Sequence, residues 1–225
     1  MAPFGKIYSY PGNWRVQRAS TLAQVAAALN GLDVPLADDF AMGKTNRTPE
    51  FLAKFPLGKV PALECADGFC VAEAAAICSY LAGSGPAAQQ LLGADVQTQA
   101  RITEWSFFSE NELAANIMPP AVMCFLKLVP YDEKRYEMHV ANLTRALKKI
   151  EVSVQGGKKY LVGSQLTLAD IMVAGPLFAS MAFLYDSEMK KELPETTRYL
   201  QSLSELEEFK SVFGELKSIE TRIRQ

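Results

Sequence analysis

Apolar residues change their rhythm near residue 85 of this 225-residue chain. Before that point the pattern is one of short runs. Ile7 to Tyr10 reads as a strand, followed by a turn at Pro11-Gly12-Asn13. From Trp14 to Leu29, residues Val16, Ala19, Ala23, Ala26 and Leu29 recur at helical spacing, and Asn30-Gly31 closes that helix. Val34-Pro35-Leu36-Ala37 reads as a short edge strand, where proline is tolerated. Thr48-Pro49-Glu50 opens a short helix, with Thr48 as N-cap and Pro49 at the first helical position. Ala62 to Cys65 and Phe69 to Val71 are two strands joined by a hairpin turn at Ala66-Asp67-Gly68. Glu73 to Leu81 is a helix closed by Gly83. The predicted order is β-α-β-α-β-β-α.

Ser84-Gly85-Pro86-Ala87-Ala88 reads as a linker, and beyond it strand signals vanish. Two domains follow from this, 1–84 and 92–225, the second all-helical. Val96, Ala100, Thr103 and Phe107 share one helix face, and Pro119-Pro120 is expected to break the helical run. Tyr136, Val140, Leu143, Leu147, Ile150 and Val154 mark an amphipathic helix, ended by Gly156-Gly157. Thr167-Leu168-Ala169-Asp170 has the form of a capping box with Asp in place of Glu. The helix it starts is apolar nearly all round and should be central. Further helical segments are expected after Pro194, running towards Arg224.

Composition narrows the function. Hydrophobic residues make up 49%, enough for real cores, and charged residues 21% with net charge −2. No clustered basic face marks a nucleic-acid partner. The longest uncharged run, Ile171 to Tyr185, has 15 residues, whereas a membrane span needs about 20. No secretory signal precedes the first strand. Cysteines stand at 65, 70, 78 and 124, with a single histidine, His139, so no zinc set of usual spacing can be assembled. Scattered cysteines without a signal point to a reducing, cytoplasmic setting. Cys65 and Cys70 flank a tight turn and are the one candidate disulfide.

The candidate chemistry lies around Gly58-Lys59-Val60-Pro61 and Glu73. A proline that begins a short apolar strand is a candidate cis bond, since X-Pro loses only about 0.5–1 kcal/mol in that form. The residue before it keeps a free backbone edge on which an extended peptide can pair as an added strand. Lys59 could then meet a carboxylate, Glu73 an ammonium, and the helix start at Glu73-Ala74 an anion. The alternatives are that Pro61 only sets a turn and Glu73 only stabilises its own helix. A thiol in such a peptide would point to the start of the first helix, where a helix N-terminus lowers a thiol pKa. Tyr8, Asn13 and Arg15 are the catalytic candidates there. Tyr8 equally reads as packing, Asn13 as a cap, and Arg15 as a solvated first-turn residue. No phosphate-binding glycine loop occurs.

These features resemble the glutathione S-transferase superfamily over essentially the whole chain. The resemblance implies a thioredoxin-like N-terminal domain followed by a helical C-terminal domain, α/β plus all-α. It implies glutathione or a related thiol peptide as ligand, held by Lys59, Val60, Pro61, Glu73 and Ala74, and no other cofactor or metal. Several runs are more specific: Tyr8-Ser9-Tyr10-Pro11-Gly12-Asn13-Trp14-Arg15, then Gly43-Lys44-Thr45-Asn46-Arg47-Thr48-Pro49-Glu50-Phe51-Leu52, then Lys54-Phe55-Pro56, and Tyr160-Leu161-Val162-Gly163. They are similar to the gamma subunits of eukaryotic translation elongation factor 1. That resemblance implies a cytoplasmic scaffold that binds the nucleotide-exchange subunit, and through it elongation factor 1A, and that self-associates as a homodimer. It also implies that the chain corresponds to an N-terminal region of a longer protein. The alternatives are a transferase-type enzyme joining a thiol peptide to electrophiles, and an appendage of another translation protein. One departure stands out: transferases commonly place serine after the helix-opening Glu, and here the residue is Ala74. A hydrogen bond to a charged group contributes about 1.5–3 kcal/mol, so its loss weakens binding roughly 10- to 150-fold.

Overall fold

The computed structural model describes residues 3–10, 12, 13, 15–17, 19, 21, 25 and 29–224. Its first unit, Met1–Ala94, is built on strands β1 (Gly5–Tyr8), β2 (Ala62–Cys65) and β3 (Cys70–Ala72). They pair antiparallel in the order β1-β2-β3, with Tyr8 opposite Ala62 and Glu64 opposite Cys70. The expected edge strand at 34–37 is reduced to a single parallel bridge, Ile7 to Leu36. Ile7 donates to the Pro35 carbonyl at 2.9 Å and Ala37 donates to the Ile7 carbonyl at 2.9 Å. Pro35 itself has no N–H to give, which limits how far a ladder can run there.

Side chains alternate across this sheet, because successive residues of a strand point to opposite faces. Ile7 and Leu63 are fully buried on one face. On the other, Tyr8 and Ala62 pack with Phe51 and Phe55. Phe51 comes from α1 (Pro49–Lys54), and Tyr8 meets its ring edge-on at 5.3 Å. Thr48 caps α1 as expected, its hydroxyl accepting from the Phe51 N–H at 3.3 Å. The hairpin closes with the Cys65 N–H donating to the Phe69 carbonyl at 2.8 Å, and Gly68 takes φ +89°. This register overturns the candidate disulfide: Cys65 shares a face with Phe69, whereas Cys70 shares the other with Glu64. All four cysteines are free thiols.

Described positions between 15 and 30 are helical, with Val16, Ala19 and Val25 buried. Leu29 is exposed, contrary to its place in the predicted stripe. Trp14, Ala23 and Ala26 of that prediction lie outside the described residues, as does Pro11. Helix α2 (Ala74–Gly83) follows β3, and α3 (Ala88–Leu92) completes the unit, burying Leu91. Between them Ala87 donates to Asn30 Oδ1 at 2.7 Å, so the Gly-Pro segment is tied down.

The second unit, Asp95–Gln225, is helical throughout its regular structure. In α4 (Val96–Phe108) the buried side chains are Ile102 and Trp105, and the stripe singled out in the sequence faces water. The proline pair does not break the helix. Pro119 and Pro120 end α5 (Ala115–Pro120), which runs between two π-helical turns, Ser109–Ala114 and Ala121–Phe125. A proline lacks the N–H for an α-helical bond, and wider turns on either side accommodate the lost partners. In α6 (Glu133–Ser153) every buried position foreseen from periodicity is buried, Tyr136 through Ile150. His139 Nδ1 donates to Asn116 Oδ1 at 3.0 Å. Glu151 at the end of α6 accepts from the Glu195 and Thr196 N–H groups, capping α9 (Pro194–Ser204) from outside.

Helix α7 (Leu168–Ser180) is buried almost all round, and its capping box is complete. Asp170, fully buried, accepts from the Leu161 and Thr167 N–H groups, the Thr167 hydroxyl and the Tyr199 hydroxyl, at 2.8 to 3.2 Å. Burial pushes its carboxyl up against the pull of those donors. No helix among the described residues is long and apolar enough to cross a membrane. The chain stops being helical earlier than periodicity predicted. After α8 (Ser187–Glu192), α9 and α10 (Glu207–Phe213), residues 214–224 have no regular structure. They are clasped instead: Arg222 Nε donates to the buried Asp186 at 2.6 Å, and Tyr136 donates to the Ile223 carbonyl at 3.0 Å.

Candidate functional site

Everything expected of the peptide edge is concentrated where β2 begins. The Val60-Pro61 bond is cis, as the sequence suggested. The β1–β2 ladder ends at the Tyr8–Ala62 pair, and among the described residues Val60 makes no backbone hydrogen bond. Its N–H and C=O are therefore open to an extended partner. Lys59, next to it, is exposed with no acidic partner among the described residues. One step beyond the last ladder pair, Ser9 falls opposite Pro61.

Glu73 stands at the other side of the hairpin, as the cap residue of α2. Its backbone has φ 71° and ψ 123°, a region that side-chain-bearing residues rarely adopt. Its side chain makes no capping bond, and the first N–H groups of a helix have no intrahelical partner. Glu73 is exposed, while Ala74 is 4% exposed and brings no hydroxyl.

At the end of β1 the three catalytic candidates fare differently. Tyr8 is buried, and its hydroxyl donates to Glu64 Oε2 at 2.6 Å. Burial, then that bond, pushes the phenol up, so it stays protonated and committed to Glu64. Lys54 and Tyr8 in turn hold the Glu64 carboxyl below the ordinary range, and Lys54 forms a salt bridge with it. Asn13 is buried and caps the helical stretch: its Oδ1 accepts from the Arg15 N–H at 3.1 Å. Arg15 sits in that first turn, half-buried.

The residue that sequence reasoning passed over is Ser9. It is 6% exposed, and Asn13 Nδ2 donates to its Oγ at 3.2 Å. A hydroxyl that accepts one bond keeps its own proton to give. Thus Asn13, with its oxygen on Arg15 and its nitrogen on Ser9, orients the Ser9 proton away from itself. Only the β1–β2 register, extended by one pair, sets Ser9 against Pro61, and no local signal in the sequence carries that pairing. The second passed-over residue is Asn46, fully buried, which donates to the Gly58 carbonyl at 2.6 Å. No cluster of metal ligands occurs among the described residues.

A cis Val-Pro edge, a helix start with a left-handed cap, and a hydroxyl at the end of β1 on an α/β unit followed by a helical unit define a thiol-transferase architecture. Profile comparison agrees. The glutathione S-transferase N-terminal domain matches residues 3–83 and the C-terminal domain matches residues 113–207. The chain belongs to the glutathione S-transferase family.

Among its relatives, the glutathione S-transferase-like protein LUC7 of Fusarium sp is 40% identical, covering 95% of this chain and 94% of that protein. Elongation factor 1-gamma of Equus caballus is 34% identical over 96% of this chain, but the match spans only 48% of that longer protein. In structure, the transferase-like domain of elongation factor 1-gamma from Saccharomyces cerevisiae superposes with a TM-score of 0.82 at 23% identity, covering 100% of this chain and 99% of that one. It has the same fold.

Proposed function

We propose that the first unit binds a thiol peptide of the glutathione type along the Val60 edge and transfers it slowly to electrophiles. The observation that carries this is the unpaired Val60 backbone at the cis bond, with Ser9 next to it in register. The peptide backbone pairs with Val60, and Lys59 and Glu73 take charged ends. The Ser9 hydroxyl donates to the sulfur, stabilising thiolate over thiol. The thiolate then attacks an electrophilic carbon, the leaving group departs with the bond pair, and the thiol proton goes to solvent. Without a hydroxyl at Ala74, affinity for the peptide is reduced. Titration calorimetry with glutathione, together with conjugation of an activated aryl halide, tests this reading. Ser9→Ala should cut the conjugation rate by ~10²-fold, the scale of removing one donor to a developing anion, in protein that circular dichroism shows to be folded although Asn13 Nδ2 loses its acceptor, at a cost of about 1–3 kcal/mol. No binding at millimolar glutathione, or an unchanged rate in Ser9→Ala, defeats the respective part.

A second reading has its own support. The 34% identity to elongation factor 1-gamma over 220 residues favours a scaffold role in the elongation factor 1 complex. On this reading the chain is cytoplasmic, binds the nucleotide-exchange subunit, and reaches elongation factor 1A through it. It self-associates through the water-facing stripe of α4, where Val96 is 79% and Phe107 63% exposed. Co-purification with the exchange subunit at micromolar concentration tests the first claim. Light scattering of Phe107→Lys against the parent tests the second, and a monomeric parent removes it.

A further inference from the structure

The run that most clearly set this sequence apart, Gly43 to Leu52, has a mechanical role in the structure. Residues 39–46 form a knot. Ala41 donates to Thr45 Oγ1 at 2.9 Å, Thr45 donates to the Ala41 carbonyl at 2.8 Å, and Gly43, with φ +86°, donates to Asn46 Oδ1 at 2.6 Å. Asn46 is 0% exposed, and its Nδ2 donates to the Gly58 carbonyl at 2.6 Å. Both ends of one amide are therefore used, and their order is fixed. The Gly43 N–H requires the oxygen and the Gly58 carbonyl requires the NH2.

The fit is close on the other side as well. Gly58 has φ +58°, and a Cβ there would lie 2.7 Å from the Asn46 carbonyl oxygen. Gly58 also donates back to the Phe55 carbonyl at 2.9 Å. Two residues later comes Val60, whose open backbone begins the peptide edge. So the knot and the edge are joined by the buried Asn46 amide and by one close backbone contact. A position built this tightly determines where the Val60 N–H and C=O stand.

We propose that Asn46 is the positioning residue of the thiol-peptide edge, locking Gly58 to Pro61 in the height and tilt at which an extended peptide pairs. This rests on the thiol-peptide reading above. Asn46 touches no ligand; it acts through Gly58. An aspartate there would keep the acceptor for Gly43 but set an anionic oxygen against the Gly58 carbonyl. Protonated, the same carboxyl would again offer one acceptor and one donor, restoring the pattern. Burial against a carbonyl raises its pKa, so this recovery falls in an accessible range.

The test measures glutathione affinity by calorimetry on folded protein, verified by circular dichroism at each pH. Asn46→Asp should bind glutathione at least 10-fold more weakly than the parent at pH 7, and the deficit should shrink by pH 5. Thr48→Ala, which loses a helix cap in the same segment, should be destabilised yet bind like the parent. Gly58→Ala supplies a second route if Asn46→Asp does not fold. It pushes the two backbones apart while every donor and acceptor remains, and it should also weaken binding. If the parent itself fails to bind glutathione, the thiol-peptide reading falls. If the parent binds and the folded Asn46→Asp or Gly58→Ala protein binds equally well, or if Thr48→Ala loses as much, the positioning role is overturned.

Discussion

Two helix starts in this chain treat the same problem in opposite ways. At α7, the donors around the start are satisfied from within by Asp170, which also collects a hydroxyl from Tyr199 on α9. At α2, Glu73 offers no capping bond and takes the one left-handed φ found among the described non-glycine caps. The first start is fully buried and the second is exposed. Sealed donors hold a core together; open donors beside an unpaired strand edge suit an anionic ligand. An open helix start alone means little, since α10 also lacks a side-chain cap. The neighbouring Val60 edge and Ser9 give the one at α2 its meaning.

The contrast can be broken by substitution, and the largest effect belongs to the sealed end. Asp170→Ala leaves two N–H groups and two hydroxyls without their acceptor and should cost about 3–5 kcal/mol in urea unfolding. A loss below 1 kcal/mol would show that water replaces the carboxylate, and the two helix starts would no longer differ in kind.

The tail clasp should follow, with a pH signature. Burial pushes the Asp186 carboxyl up, but the Met189 N–H and the Arg222 guanidinium outweigh it and hold the group below its ordinary range. Its contribution is therefore present above the unfolded carboxylate pKa, about 3.9, and lost as pH falls through the lower folded value. Asp186→Asn should cost about 1.5–3 kcal/mol at pH 7 and progressively less below pH 4. A deficit that is flat with pH would remove the charge from this account.

At the open end the effects should appear in affinity rather than stability. Ala74→Ser supplies the missing hydroxyl and should tighten glutathione binding roughly tenfold, about 1.4 kcal/mol, with little change in melting temperature. Smallest of all, Lys59→Ala should weaken binding by about 2- to 5-fold, as expected of an exposed charge pair, and more so at low salt than at high. Equal affinity for the parent and both variants would mean the ligand does not lie along this edge.

Local chemistry wrote much of the fold plainly. Periodicity placed α6 because its buried side recurs every three or four residues, and the Thr167-to-Asp170 box announced the start of α7. The Val60-Pro61 bond was legible because only proline makes the cis form accessible. The failures share a cause: each concerns which neighbour an element meets. The α4 stripe of Val96, Ala100, Thr103 and Phe107 looked like a buried face, but Ile102 and Trp105 face the core instead. Pro119 and Pro120 looked like a break, and π-helical turns carried the helix past them.

The site divides along the same line. Lys59, Val60, Pro61 and Glu73 could be singled out from the chain because a proline-led strand and an acidic helix start are local signals. Ser9 and Asn46 could not, since each gains its role from a segment distant in sequence: Pro61 by strand register, and Gly58 by one buried amide. By itself the sequence determined most of the elements, the caps at Thr48 and Thr167, and the family, because these depend on residues within a turn or two of one another. Only the tertiary structure decided that the Tyr8 hydroxyl is spent on Glu64, that Cys65 and Cys70 face apart, and that the Asn46 amide joins Gly43 to the Gly58 carbonyl. Hydrogen-bond partners and strand faces are fixed by packing across the chain, and spacing along it carries no record of them.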